Sequence, residues 1–456
     1  MTKAPAFCWG TATAAYQIEG AWLTGGKGLS IWDAFAHTPG KVDFGHTGDV
    51  ACDHFHRFAE DIALMQQLGV NAYRFSIAWP RIFPQGRGEV STEGVAFYSR
   101  LIDELVAAGI TPFITLYHWD LPLTLQLEQD GWLSRQTAED FAHYARYCFE
   151  QFADRVHHWI TFNESWCTAV LGYGIGFFPP GRKNPDEPYI VGHNLLIAHG
   201  LAVEAFRAGG FAGQIGLASN CDWREPLTDS AADIAAAQRS LEFFYGWFTD
   251  PVVSGDYPAV MRERLGERLP TFSAEDQQRL KGSVDFLGLN HYTSHFASAA
   301  PSSAHAVAPE DGNGGMADDQ AVYLSCDPAW PRTDMGWFVV PWGFRKMLNW
   351  VNQRYPNLPI YVTENGCANP HMDEENCQQD TFRVNFLSGY LNALQQAKDE
   401  DSVPVMGYFC WSLLDNFEWA YGYSKRFGLI HCDFASGQRT PKQSFYFYQN
   451  HLRKYL

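Results

Sequence analysis

Short β-branched or aromatic runs alternate with segments of helical period along the whole sequence, and nowhere do strands or helices gather into blocks. Such alternation marks repeated βα units built on a parallel sheet. Eight runs read as strands: Phe7–Gln17, Ala72–Trp79, Thr111–Trp119, His158–Asn163, Ile215–Ala218, Asp285–Asn290, Ile360–Thr363 and Val405–Trp411. Between them, Phe58, Ile62, Met65 and Leu68 form an apolar helical stripe stopped at Gly69, and Tyr98, Leu101, Ile102 and Leu105 form another stopped at Gly109. Thr137 with Asp140 reads as an N-cap before Phe141, Tyr144, Cys148 and Phe152. Eight units fit one α/β domain over residues 1–456, a closed (β/α)8 TIM barrel with long βα loops. A doubly wound open sheet shows similar local patterns, but no Gly-x-Gly-x-x-Gly loop follows the first strand. The least periodic stretch, Ala297–Asp319, is either a long loop over the barrel mouth or a disordered surface insertion.

Lys and Arg number 33 against 51 Asp and Glu, a formal charge of −18. That excess repels phosphate backbones and anionic lipid, so neither nucleic acid nor a membrane surface is an expected partner. The ten cysteines contain no Cys-x-x-Cys pair and read as reduced packing residues, with no metal site expected. Met1–Ala6 lacks an apolar signal core. The most membrane-like stretch, Ser165–Gly181, is broken by Gly172, Gly174, Gly176 and the pair Pro179-Pro180. These features point to a cytoplasmic protein of a reducing compartment. Self-association into a homo-oligomer is left open.

Barrel chemistry gathers at the carboxyl ends of the strands, where the βα loops converge. The fourth strand closes with Thr161-Phe162-Asn163-Glu164 and the seventh with Thr363-Glu364-Asn365-Gly366. Two carboxyl groups facing one cavity are the apparatus of glycoside cleavage, one protonating the leaving oxygen and the other attacking the anomeric carbon. The third strand adds His118-Trp119-Asp120, and the eighth adds Trp411 followed by Glu418-Trp419. Indole faces suit the apolar side of a pyranose, while Gln, Asn, His and Glu suit its hydroxyls. Taken singly, each Glu also reads as a solvated loop residue and each Trp as core packing. His54 and His56 read as structural, and no partner lies at ligand spacing around His118.

The motifs Phe7-Cys8-Trp9-Gly10-Thr11-Ala12-Thr13-Ala14-Ala15-Tyr16-Gln17-Ile18-Glu19-Gly20, Arg74-Phe75-Ser76, His118-Trp119-Asp120-Leu121-Pro122, Thr363-Glu364-Asn365-Gly366 and Asn416-Phe417-Glu418-Trp419 occur in order. Over essentially its full length the chain resembles glycoside hydrolase family 1, the retaining β-glucosidase family. The resemblance implies Glu164 as acid/base and Glu364 as nucleophile, with Arg74 and Tyr292 orienting the nucleophile. It implies Gln17, His118, Trp119, Asn163, Glu418, Trp419 and Phe427 as substrate-binding residues and Trp411 as a stacking platform. It also implies an exo-acting β-glucosidase for cellobiose-like oligosaccharides or aryl β-glucosides, with no cofactor. In such a pair Arg74 and Tyr292 should hold the pKa of Glu364 down, while burial and the charge of Glu364 keep Glu164 protonated. A retaining pair should stand about 5 Å apart.

The chain departs from the family pattern at Ser165, where Pro is common, at Phe338, where an acidic residue is frequent, and at His291, where Tyr is common. The last two bear on the aglycone side. A 6-phospho-β-glycosidase and a non-catalytic sugar-binding relative are the alternative functions. Glu418 would repel a phosphate dianion, and the second alternative typically lacks a catalytic Glu, whereas this chain keeps both.

Overall fold

The computed structural model describes residues 7–301, 306–307, 316–370 and 376–455. Eight parallel strands follow one another around a ring: β1 (Cys8–Ala12), β2 (Ala72–Ser76), β3 (Thr111–Tyr117), β4 (His158–Asn163), β5 (Gln214–Asn220), β6 (Phe286–Asn290), β7 (Ile360–Asn365) and β8 (Val405–Trp411). β1 pairs with β2 on one side and with β8 on the other, which closes the barrel and decides against the open sheet. Helices such as His54–Leu68, Thr92–Ala107, Arg135–Phe152 and Glu187–Ala208 fill the connections. The first presents Ile62, Met65 and Leu68 to the core and ends on Gly69 at φ 85°, a left-handed cap that glycine adopts without strain.

Alternation along the strands sorts the barrel interior into layers. Low in the barrel, Phe113 of β3 meets Tyr361 of β7 and Phe409 of β8 at ring separations of 5.3 and 4.8 Å, and Phe286 of β6 packs on Tyr361 at 5.0 Å. Gly10 of β1 is required beside this floor, because a Cβ there would stand 2.4 Å from the Phe409 ring. Two residues further along the strands the same faces turn polar: Thr115 follows Phe113, Thr363 follows Tyr361, and Arg74 of β2 donates to the Thr115 hydroxyl at 3.1 Å. An aromatic floor thus carries a polar layer, and the strand ends open above it.

Several strands stop short of the range read from sequence. β1 ends at Ala12, and Gln17 lies on the short helix Ala15–Ile18, whose Ala15 N–H donates to the Ser76 hydroxyl at 2.7 Å. β2 ends at Ser76, because Trp79-Pro80 starts the helix Trp79–Ile82 with proline in its first turn. β3 ends at Tyr117, and Trp119 takes φ 77°. Thr137 is not a cap: the helix Arg135–Phe152 starts from Ser134, while the Thr137 hydroxyl donates to the Gly131 carbonyl at 2.5 Å. The strand Ser294–Ser298 runs into the start of the region read as a loop and pairs antiparallel with Tyr323–Cys326 and parallel with Trp223–Pro226. Within Ala297–Asp319, Ala306–Val307 pairs with Tyr323–Cys326 and Met316–Gln320 starts a helix, while residues 302–305 and 308–315 lie outside the described residues. Ser165–Gly181 holds a widely wound π-helix, Cys167–Gly174, and among the described residues no helix is long and apolar enough to cross a membrane.

Candidate active site

Glu164 and Glu364 open into one cavity of about 430 Å³ at the carboxyl ends of the strands. Both are delivered by irregular strand ends, since register shifts fall before Asn163 where β4 pairs with β5 and before Glu364 where β7 pairs with β6. Such irregularities re-aim a side chain. Glu164 itself sits at φ 47°, a conformation that bulky residues rarely adopt. Asn290, the last residue of β6, donates to Glu164 Oε1 at 2.8 Å and to Asn163 Oδ1 at 2.9 Å. Its own Oδ1 accepts from the Thr363 hydroxyl at 2.6 Å, and its amide also favours the ionised form of Glu364. Asn290 therefore ties Glu164 directly to the strand that carries Glu364.

The surroundings of the two acids differ. Glu364 Oε1 accepts from Arg74 Nη1 at 2.6 Å, and Oε2 accepts from the Tyr292 hydroxyl at 2.6 Å. Arg74 Nη2 donates to Asn163 Oδ1 at 2.6 Å, so the guanidinium is fixed by more than its carboxylate. Among the described residues no cation bonds to Glu164. Burial, followed by the negative charge of Glu364, pushes its pKa up to about 8. The expected lowering of Glu364 needs correction: burial is the larger influence and raises its pKa, although Arg74 and Tyr292 both pull it down. The contrast survives, because Glu364 has the guanidinium and phenol on its oxygens and Glu164 has neither. Glu418 is the third acid, pushed up to about 8 by burial and then by Glu364 and Glu164.

Aromatic rings form the remaining wall. Trp419 packs on Trp119 at 4.6 Å and on Trp32 at 4.7 Å, and His118 lies nearly parallel to both Trp411 and Trp419 at 5.9 Å. Trp119 is held by its indole N–H, which donates to the Asn163 carbonyl at 2.9 Å. His118 Nε2 accepts from the Asn163 amide at 3.1 Å, which leaves Nδ1–H without a protein partner. Burial and then Arg74 hold this imidazole well below its ordinary pKa, so it is neutral. Gln17 Nε2 donates to the Phe417 carbonyl at 2.8 Å and to Glu418 Oε2 at 3.4 Å, while its Oε1 has no partner. Unpartnered polar atoms beside stacked indoles are what a hydroxyl-rich ring would satisfy.

Residues 3–455 match the model of glycosyl hydrolase family 1. The chain belongs to glycosyl hydrolase family 1. It is 47% identical to Beta-glucosidase 4 of Oryza sativa subsp. japonica over 98% of this chain and 94% of that relative. It is 43% identical to the 1,4-beta-D-glucan glucohydrolase of Thermotoga neapolitana over 99% of each chain. Among solved structures, the family 1 beta-glucosidase of the fungus Humicola insolens in complex with glucose superposes with a TM-score of 0.92 at 43% identity, covering 98% of each chain.

Within this family 1 barrel, the expected residues fall into two groups. Glu164, Glu364, His118, Trp119, Tyr292, Trp411, Glu418, Trp419 and Phe427 line the cavity. Arg74, Asn163 and Gln17 do not, and each instead grips a residue that does. Of the departures, Ser165 is buried directly after Glu164. Phe338 packs beside Trp330 under the Arg332 guanidinium, and His291 donates from Nδ1 to the Cys221 carbonyl at 2.9 Å; neither lines the cavity. Sequence reasoning missed Asn290, although it ends a predicted strand just as the two acids do. It also missed Cys167, whose thiol lies 3.2 Å from Glu164 Oε2, and the outer wall of Trp166, Phe244 and Trp337. No spacing rule marks those residues, because loops and π-helical turns bring them together.

Proposed function

We propose that the protein is a retaining, exo-acting β-glucosidase in which Glu364 is the nucleophile and Glu164 the acid/base. The reading rests on one observation: two carboxyl groups open into one cavity, yet only one carries a guanidinium and a phenol on its oxygens. Glu364 attacks the anomeric carbon while Glu164 transfers its proton to the glycosidic oxygen, and the bond to the leaving group breaks. The glycosyl ester removes the charge that had raised Glu164, which then accepts a proton from water as the ester is hydrolysed. Asn290 bonds both to Glu164 and to Thr363, the neighbour of Glu364, which favours a short separation of the carboxyl groups, the arrangement of double displacement.

His118 and Glu418 hold the sugar hydroxyls, Gln17 steadies Glu418 from behind, and Trp411, Trp419 and Trp119 cover the apolar face of the sugar, with Phe427 beside Tyr292. The naming of the Oryza and Thermotoga relatives and the glucose in the Humicola structure support glucose as the terminal sugar and short β-glucans or aryl glucosides as substrates. A 6-phosphorylated sugar is disfavoured, because no Lys or Arg is among the described residues lining the cavity and Glu418 faces it. Nine of the ten cysteines are buried as thiols, which supports a reducing, cytoplasmic setting.

The test is a panel of aryl β-glycosides that includes glucose, galactose, fucose and 6-phosphoglucose, with the first-formed anomer followed by NMR. The β-glucoside should be hydrolysed with the β-anomer appearing first. Preference for the phosphorylated sugar, or the α-anomer first, contradicts the reading.

A further inference from the structure

We infer that Cys167 is a positioning residue for the Glu164 carboxyl, its thiol being the partner that can both donate to and accept from Oε2 as Glu164 changes protonation state. This rests on the reading of Glu164 as acid/base. The N–H groups of Cys167 and Thr168 donate to the Glu164 carbonyl at 2.9 and 3.3 Å, so the helix starts on the acid and returns the Cys167 side chain to it. Sγ stands 3.2 Å from Glu164 Oε2, and the Asn220 amide donates to Sγ at 3.5 Å. Cys167 and Asn220 both line the cavity.

The other carboxyl oxygen constrains the proton. Oε1 is taken by the Asn290 amide at 2.8 Å, and an amide N–H can only donate. The proton of neutral Glu164 therefore belongs on Oε2, on the side of the thiol. A thiol accommodates both states: it donates to ionised Oε2 and accepts from, or turns away from, protonated Oε2. It remains a thiol throughout, since burial and the nearby Glu164 hold its own pKa well above the ordinary value. The charged or titratable groups facing this pair are Glu364 on β7, Arg74 on β2, Tyr292 after β6, Glu418 after β8 and Asp222 after β5. Arg74 and Tyr292, the donors among these groups, are spent on Glu364 and Asn163, so the thiol fills a place they leave open at Oε2.

The test is the pH profile of kcat/KM on an aryl β-glucoside with a poor leaving group, measured for Cys167→Val, Cys167→Ala and Cys167→Ser. Val fills the space without hydrogen bonding, Ala guards against misfolding caused by crowding, and Ser keeps both capacities. Losing the donor destabilises the carboxylate, so the basic limb should rise by about half to one pH unit in Val and Ala, the size of a modest hydrogen bond to a charged group. Ser should return the limb to, or below, the parent position. Unmoved limbs in folded Val and Ala variants, or an equal loss of activity in all three, overturn the inference. Glu164→Ala is run alongside: if it spares poor leaving groups, the acid/base reading fails first. If it behaves as an acid/base variant while the Cys167 limbs stay in place, only the role of Cys167 fails.

Discussion

Replacing Arg74 by Met tests how Glu364, the proposed nucleophile, is kept charged. The guanidinium is 1% exposed and makes four hydrogen bonds: 2.6 Å to Glu364 Oε1, 2.6 Å to Asn163 Oδ1, 3.0 Å to the Thr363 carbonyl and 3.1 Å to the Thr115 hydroxyl. Methionine fills much of the volume and makes none of them. A hydrogen bond to a buried charge is worth about 1.5–3 kcal/mol, which at 1.36 kcal/mol per pKa unit corresponds to about one to two units. The sign follows from the charge removed: losing a cation favours neutral Glu364, and the attacking form must be ionised. The acidic limb of kcat/KM should therefore rise by about one to two pH units. The basic limb should rise less, because Glu164 feels Arg74 only as a lesser charge effect. Leaving one member of a buried ion pair alone should also cost about 3–5 kcal/mol of stability at neutral pH, read by urea unfolding. A folded variant whose acidic limb overlays that of the parent would refute the reasoning.

Glu164→Gln should slow aryl glucosides with poor leaving groups by about 10²–10⁴ and those with good leaving groups far less, measured as kcat/KM across a series of phenols. Gly366→Ala should fail to fold or lose all activity, because its Cβ would lie 1.7 Å from the Trp411 carbonyl oxygen; circular dichroism and activity report both. Asp61 is buried between His54 at 2.7 Å and Arg439 at 2.9 Å, and its pKa is net lowered: burial raises it, but the bonds to His54 and Arg439 outweigh that. Its contribution is present above the unfolded value of about 3.9 and is lost as pH falls through the folded value, so Asp61→Asn should cost about 3–5 kcal/mol at pH 7 and flatten the acid arm of the stability profile.

The barrel was legible because its signal is spread along the chain. β4 and β8 match the predicted ranges, and the strand that delivers Glu364 differs only by its last two residues. The errors cluster where the chain leaves the sheet. Trp79, Trp119 and Gln17 continue an aromatic or apolar pattern past the true strand ends, but a proline in one case and a left-handed residue in another turn the backbone over the barrel mouth. Among site residues, the acids and tryptophans could be found because their chemistry is specific. Asn290 and Cys167 could not be separated from ordinary strand and helix residues, since their importance comes from which carboxyl oxygen each one meets. The net pKa of Glu364 was also beyond sequence, because the outcome depends on how completely the barrel excludes water from it.

The central claim is that Glu364 attacks and Glu164 supplies the proton. It is tested most directly by incubating the protein with a 2-deoxy-2-fluoro-β-glucoside carrying a good leaving group, then locating the added mass by peptide mapping. One sugar per chain should be found, esterified to Glu364 and discharged slowly by water or an acceptor sugar. A label on Glu164 or on Glu418, or leaving-group release with no covalent adduct, would contradict it.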